Sequence, residues 1–335
     1  MQRRDPVLSL WLVFVALSVV WGTSFLFIKI GLDAGLPPFW LVTYRLWIAV
    51  AVLLVFAWLS GARLPRDRAG LLTVAFLGLI NVAIPFALIT WGEQYIPSAL
   101  ASILNGLVPL FTIVIAALVL VDEPITVNRL LGLVIGFVGA VLLLAHGLDG
   151  GSASPGQSTD PALALAGELA VVLAAAAYAV SAVYIRRHIS GRALIAEPDG
   201  SRRALRPVEI AIPQNIAAAL LVSLLALTIE HPSGGLLVLP ASAGAWFAVA
   251  WLGALGSALA YLLYFRLLGA WGATRSTLVT YAMPVVGVLA GVLVLGETIE
   301  PREILGMLLI IGGIALVNAR VGMRRLYGRK AAIAD

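Results

Sequence analysis

The sequence predicts an all-α polytopic membrane protein, ten transmembrane helices arranged as two inverted five-helix repeats. Three observations predict it. First, 61% of the 335 residues are hydrophobic and only 12% are charged, against roughly 25% charged in a soluble domain. With a mean hydropathy of +1.03, such a chain could not cover a water-facing surface and belongs in a bilayer. Second, the chain repeats itself. A shift of 175 residues carries Leu77-Gly78 onto Leu252-Gly253, Pro109 onto Pro284 and Leu118-Val119-Leu120 onto Leu293-Val294-Leu295. After a one-residue gap, a shift of 174 carries Glu123 onto Glu297, Leu131-Gly132 onto Leu305-Gly306, Gly139 onto Gly313 and Leu142 onto Leu316. A repeat at that distance marks two halves of one architecture. Third, Lys and Arg fall in alternate loops, as membrane topology demands.

Ten apolar windows are long enough to span as helices: 7–32, 38–59, 70–91, 97–120, 128–146, 162–187, 208–229, 241–266, 272–295 and 301–320. The first is too long for a signal-peptide core and lacks a small-residue cleavage site, so it reads as a retained helix. The first repeat occupies 7–146 and the second 162–320. Between them, 147–161 is rich in Gly, Ser and Pro and reads as a flexible linker. Residues 321–335 form a basic tail, and 188–206 is an Arg-rich loop.

With a cytoplasmic N-terminus, 18 of the 22 basic residues lie in cytoplasmic segments. Lys29 and Arg302 fall on the other side near helix ends, and Arg45 and Arg275 fall inside helices. Both termini are then expected in the cytoplasm of a multi-pass protein. Five helices per half is an odd number, so the second repeat enters the membrane from the opposite side. Inverted repeats of this kind build alternating access in many secondary transporters, with the site at the repeat interface. The other helices echo as well. Trp21-Gly22-Thr23-Ser24 through Lys29 aligns with Tyr178-Ala179-Val180-Ser181 through Arg186, and Arg45 aligns with Gln214.

These features resemble the drug/metabolite transporter superfamily in its EamA-type branch. The residues that carry the resemblance are Val20-Trp21-Gly22-Thr23-Ser24-Phe25, Arg45 within Pro38–Arg45, Pro109 to Glu123, and Pro284 to Gly296-Glu297. It spans about residues 8–320. It implies a bacterial inner-membrane exporter of amino acids, other metabolites or small amphiphiles. It also implies a basket of helices around a cavity lined mainly by helices 1, 3, 4, 6, 8 and 9.

Polar residues at bilayer depth need a reason. Arg45 lies about seven residues into helix 2, on the order of 10 Å deep. It either meets an anionic substrate group or holds helices together, capping carbonyls or pairing with a carboxylate such as Glu93. Arg275 either snorkels to the interface or binds a carboxylate. Ser98, Ser102 and Asn105 share one face of helix 4, and Thr280 and Tyr281 lie in the equivalent part of helix 9. That stripe either lines a wet cavity or serves as interhelical glue. Asn81, Ser24, Ser181 and Gln214 complete the polar candidates. Trp21, Phe25, Trp91, Tyr178, Tyr261, Tyr264 and Tyr281 could stack on a planar or cationic substrate or simply pack. Pro109 and Pro284 sit mid-helix and would bend both halves as matching hinges. Gly132, Gly136, Gly139, Gly306, Gly312 and Gly313 are expected to let helices 5 and 10 approach closely.

The expected partners are a small-molecule substrate and the lipid bilayer, without nucleic acid; monomer and homodimer stay open. No cofactor or metal is expected. The chain has no Cys, and His146, His188 and His231 are scattered. No P-loop, Gly-x-Ser-x-Gly elbow or paired zinc histidines occur, so neither ATP drive nor catalysis is expected. Glu93, Glu123 and Glu297 fall at helix ends, with Glu168 and Asp5 near the surface. Without a midplane carboxylate, facilitated diffusion or exchange stands at least level with proton antiport. The alternatives to a transporter are a membrane-embedded scaffold or receptor and, behind them, an intramembrane enzyme.

Overall fold

The computed structural model describes residues 7–62, 68–120, 125–144, 158–196, 201–230, 237–271, 278–318 and 325–327. Ten helical rods account for nearly all of them. Helix α1 (Val7–Asp33) ends where Gly35 turns the chain with a φ of +82°. Helix α2 (Pro38–Ser60) starts on Pro38, whose fixed φ suits a first helical turn. It stops at left-handed Gly61. Helix α3 (Arg68–Gly92) widens into a π-helical turn at Leu79–Ala83. Helix α4 (Ser98–Val119) is broken at Gly106-Leu107 into Ser98–Asn105 and Val108–Val119. Helix α5 is Val127–Leu144.

The second repeat begins with α6 (Pro161–His188), where the Asp160 carboxylate accepts from the Ala162 N–H at 2.9 Å. Helix α7 is Pro207–Ile229. Helix α8 runs through Ala243–Ala250, a π-helical stretch Trp251–Leu259 and Ala260–Trp271. Helix α9 is Leu278–Leu295 and α10 is Pro301–Asn318. Eight of these helices are long and apolar enough to cross a bilayer, and Val279–Leu295 is a shorter apolar one. Two short antiparallel ladders add to the helices: β1 (Ile125–Thr126) with β4 (Arg325–Tyr327), and β2 (Ile195–Ala196) with β3 (Arg202–Arg203). The second folds part of the Arg-rich loop into a hairpin.

The helices pack as two related halves. Helix α5 lies along α10, α2 along α7, and α4 against α9, each pair mapping onto itself when the repeats are exchanged. The α1–α9 contact has its image in α6–α4, α3–α6 in α8–α1, and α3–α7 in α8–α2. The glycines of α5 and α10 show the same relation at atomic scale. A Cβ on Gly132 would fall on the Gly313 carbonyl, and one on Gly139 on the Gly306 carbonyl, each pair being reciprocal. Shifting by 174 residues exchanges the two pairs. Gly136 meets Leu110 of α4 instead, and Gly312 faces open space.

Buried Leu, Ile, Val and Ala fill the space between the rods. The outer surface is apolar too: Trp58 and Leu118 are each 81% exposed, as the lipid-facing side of a span requires.

The two prolines expected as hinges sit differently in their helices. Pro109 enters as the second residue of Val108–Val119, directly after the break in α4. Pro284 sits inside a continuous α9. The linker 147–157, Glu123, Arg275, His146, His231 and the tail other than 325–327 lie outside the described residues.

Candidate functional site

The two π-helical segments position the central polar cluster. A π-turn inserts one extra residue into a helix, redirects nearby side chains and disturbs the local carbonyl ladder. In α8 this brings Ser257 to Arg45 of α2. The Arg45 Nε donates to Ser257 Oγ at 2.9 Å, and the guanidinium carbon lies 3.6 Å from the centre of the Phe86 ring. Arg45 is 4% exposed. Among the described residues its partners are a hydroxyl and an aromatic face, rather than a carboxylate such as Glu93, one of the alternatives open from sequence. A guanidinium tolerates this better than an ammonium, being planar and weakly hydrated.

In α3 the π-turn presents Asn81 to Gln214 of α7. Asn81 Nδ2 lies 3.3 Å from Gln214 Oε1 and 3.2 Å from the Tyr261 hydroxyl. Asn81 Oδ1 is 2.8 Å from Ser181 Oγ, which is also 2.7 Å from the Tyr178 carbonyl. One hydroxyl proton serves one of these acceptors at a time. The Gln214 Nε2 is buried without a partner. Each repeat thus offers a polar residue from its second helix, Arg45 or Gln214, to the π-segment of the other repeat. The backbone follows the same rule, since Gly253 packs on the Arg45 carbonyl and Gly78 on that of Gln214.

Trp21 closes the cluster on the α1 side. Its indole N–H donates to the Gly256 carbonyl at 3.2 Å, and its ring lies 5.4 Å from Tyr264 and 6.5 Å from Tyr261, between centroids. Ser24, one turn on, spends its hydroxyl on the Val20 carbonyl and faces Gly256. The cluster therefore joins α1, α2, α3, α6, α7 and α8, and gathers Trp21, Ser24, Arg45, Asn81, Tyr178, Ser181, Gln214, Tyr261 and Tyr264.

The other candidates lie elsewhere. Ser98 and Ser102 are shut into the seam between α4 and α9, against Gly291 and Gly287. There the Glu297 carboxylate accepts from the N–H groups of Ser98 and Ala99 at 2.8 and 2.9 Å, capping α4 across the repeat boundary. Those two serines do not line a wet cavity. Asn105 is buried beside the α4 break, its Oδ1 unpartnered. The Tyr281 hydroxyl donates to the Ile314 carbonyl of α10 at 3.2 Å. Trp91 packs edge-on to Tyr95, and Thr280 is half-buried in α9. Phe86, Gly256 and Ser257 were missed by sequence reasoning. The repeat offset offered a signal, since shifting Asn81 by 175 lands on Gly256, next to Ser257.

The two ends of the bundle differ. Where α1, α3 and α7 end, a cavity of about 630 Å³ is lined by Lys29, Asp33, Gln94, Glu230 and the Gly35–Pro38 turn. Glu230 caps α2 through the N–H groups of Phe39 and Trp40, at 3.0 to 3.1 Å. Burial raises its pKa, and those hydrogen bonds pull the other way. At the opposite end, Ile189, Leu194 and Leu205 of the Arg-rich loop pack with Val74, Leu77, Ile80 and Ile210. Arg203 and Arg206 both hold the buried Glu209 carboxylate, with Arg203 Nη1 at 2.7 Å. That end is closed.

The EamA-like transporter family matches residues 9–145 and 165–319. The chain is 29% identical to the uncharacterized inner membrane transporter YedA of Escherichia coli K12, over 95% of this chain and 93% of that one. It is also 29% identical to a probable terminal-alkyne amino-acid exporter of Streptantibioticus cattleyicolor, covering 95% and 96%. A probable amino-acid metabolite efflux pump of Salmonella typhimurium is 25% identical, covering 94% of each chain. A solved crystal structure shares the fold, with a TM-score of 0.62 at 22% identity over 92% of this chain and 96% of the other.

Proposed function

The chain belongs to the EamA-like transporter family, and on that premise we propose that it is an inner-membrane secondary transporter exporting small amphiphilic metabolites, amino acids or their derivatives among them. The observation that carries this reading is the buried cluster between the repeats. Arg45 makes a single hydrogen bond among the described residues, and Gln214 Nε2 makes none. Both are donors suited to a carboxylate. Trp21, Phe86, Tyr178, Tyr261 and Tyr264 supply aromatic faces for an apolar side chain. A buried donor without a partner costs about 1–3 kcal/mol, and a bound anionic group would recover that cost. The relatives named as amino-acid exporters support this substrate class.

The two-fold plan supports alternating access as the mode of transport. Among the described residues, the Arg-rich loop packs onto α3 and α7 at one end, and the face where α1 ends is indented. With both termini cytoplasmic, as the basic residues suggest, that indentation faces outward. Rocking the repeats about the cluster would exchange the two ends.

The test is counterflow in proteoliposomes with a panel of labelled amino acids. The expected result is exchange of at least one apolar or aromatic amino acid by the wild type. Asn81→Leu, which removes a hydrogen-bond partner of Ser181, Gln214 and Tyr261, should lose it, while Thr228→Val, an exposed change on α7, should keep it. Equal rates in Asn81→Leu and wild type would overturn the site.

A further inference from the structure

Behind the wall of the cavity lies a carboxyl group that neither the packing nor the cluster uses. Glu93 follows the last residue of α3 and is fully buried. Among the described residues, neither carboxyl oxygen has a hydrogen-bond partner. An anion in that position would be unpaired, desolvated and at the negative end of a helix dipole. Its neighbours are unlike it. Glu297 uses both carboxylate oxygens as acceptors on α4. Lys29 of α1, which lines the cavity, donates to the main-chain carbonyl of Glu93 at 3.0 Å. Gln94, the next residue, lines the same cavity. A proton from that side of the bundle thus has an open approach, with Lys29 and Gln94 at its inner wall.

We propose that Glu93 is the proton-carrying group of this transporter, loaded from the cavity and coupled to the exchange of access. This rests on the transport reading above. Two carboxyls in contrasting environments, one satisfied and one stranded, are how proteins separate an anion from an acid. The charged groups around Glu93 are Lys29 and Asp33 of α1, Arg45 of α2 and Glu297 after α9. Helix α6 packs on α3 through Gly167 and Gly92. Its Glu168 is buried rather than near the surface, also lacks hydrogen-bond partners, and is coupled to Glu303 of α10. Burial is the largest influence on Glu93 and pushes its pKa well above the carboxylate range. Lys29 opposes that shift and Glu297 reinforces it.

In the arrangement described, the carboxyl holds its proton. When the opposite end opens, water reaches the group, the O–H bond breaks and the proton leaves to that water. The carboxylate formed then draws the Lys29 ammonium from the carbonyl onto itself. Closure is restored once a proton from the cavity re-forms the acid.

Two measurements test this. In proteoliposomes, an imposed pH gradient should drive uphill substrate movement by wild type and by Glu168→Gln. Glu93→Gln should keep counterflow within about twofold and lose the response to the gradient altogether. Gradient-driven transport by Glu93→Gln, or wild-type transport indifferent to the gradient, overturns the proposal. If no substrate moves in any protein, the transport reading has failed on its own. Infrared difference spectra of wild type against Glu93→Gln then still decide the protonation state. A protonated carboxyl band lost at neutral pH supports the assignment; loss of carboxylate bands instead overturns it.

Discussion

Among the described residues, Arg45 keeps a charge at bilayer depth without an ion pair. It lies against the Phe86 face and binds the Ser257 hydroxyl. Both contacts depend on a flat, delocalised cation with several donors. A lysine at this position keeps the charge and loses the shape. Arg45→Lys is therefore expected to lower initial counterflow rates by about tenfold or more, roughly 1.4 kcal/mol or above of lost interaction. The yield of folded protein on size-exclusion should be unchanged. Undiminished transport by this variant would mean that the charge alone suffices. The choice between substrate contact and structural pairing could not be made from sequence, because the partner sits 212 residues away in a π-segment that leaves no periodic mark.

Among the elements, the α5–α10 seam makes the sharpest statement about packing. A Cβ on Gly139 would lie 2.8 Å from the Gly306 carbonyl and 2.9 Å from Leu309 Cβ, whereas one on Gly312 would meet nothing within 4 Å. Gly139→Ala should lower thermal stability by about 1–3 kcal/mol through overpacking. Gly312→Ala should leave it level or slightly raised, since alanine also favours the helix. Thermal unfolding monitored by tryptophan fluorescence distinguishes these, and equal losses would contradict the seam. Such glycines were legible because close approach demands them and the repeat doubles them. The different settings of the two prolines were not legible. A proline removes one N–H wherever it falls, but whether the helix breaks depends on its neighbours. Gly106 precedes Pro109 and helps α4 to break, whereas Pro284 follows Ala282-Met283 in a helix that stays whole. Helix caps supplied across the repeat boundary, such as Glu297 on α4, were invisible for a related reason: capping residues are recognised by local spacing, and this one is 199 residues away.

At the scale of the whole molecule, hydropathy, loop charge and internal repetition were enough to predict the ten rods and their inverted pairing, because each is set by the bilayer rather than by detail. The cluster was legible in its members but not in its boundary. Ser98 and Ser102 share the polarity of Asn81 and Ser181 yet end in a dry seam, since polarity alone cannot tell a helix contact from a cavity. In the proposed transport cycle, the cluster between the repeats is reached alternately from the two sides. A chain without cysteine allows a clean test, with Ser181→Cys as its single thiol. A membrane-impermeant thiol reagent should label that residue from either face of oriented vesicles, with substrate changing the rate on both. Labelling from one face only, whatever the substrate or pH, would contradict alternating access at this site.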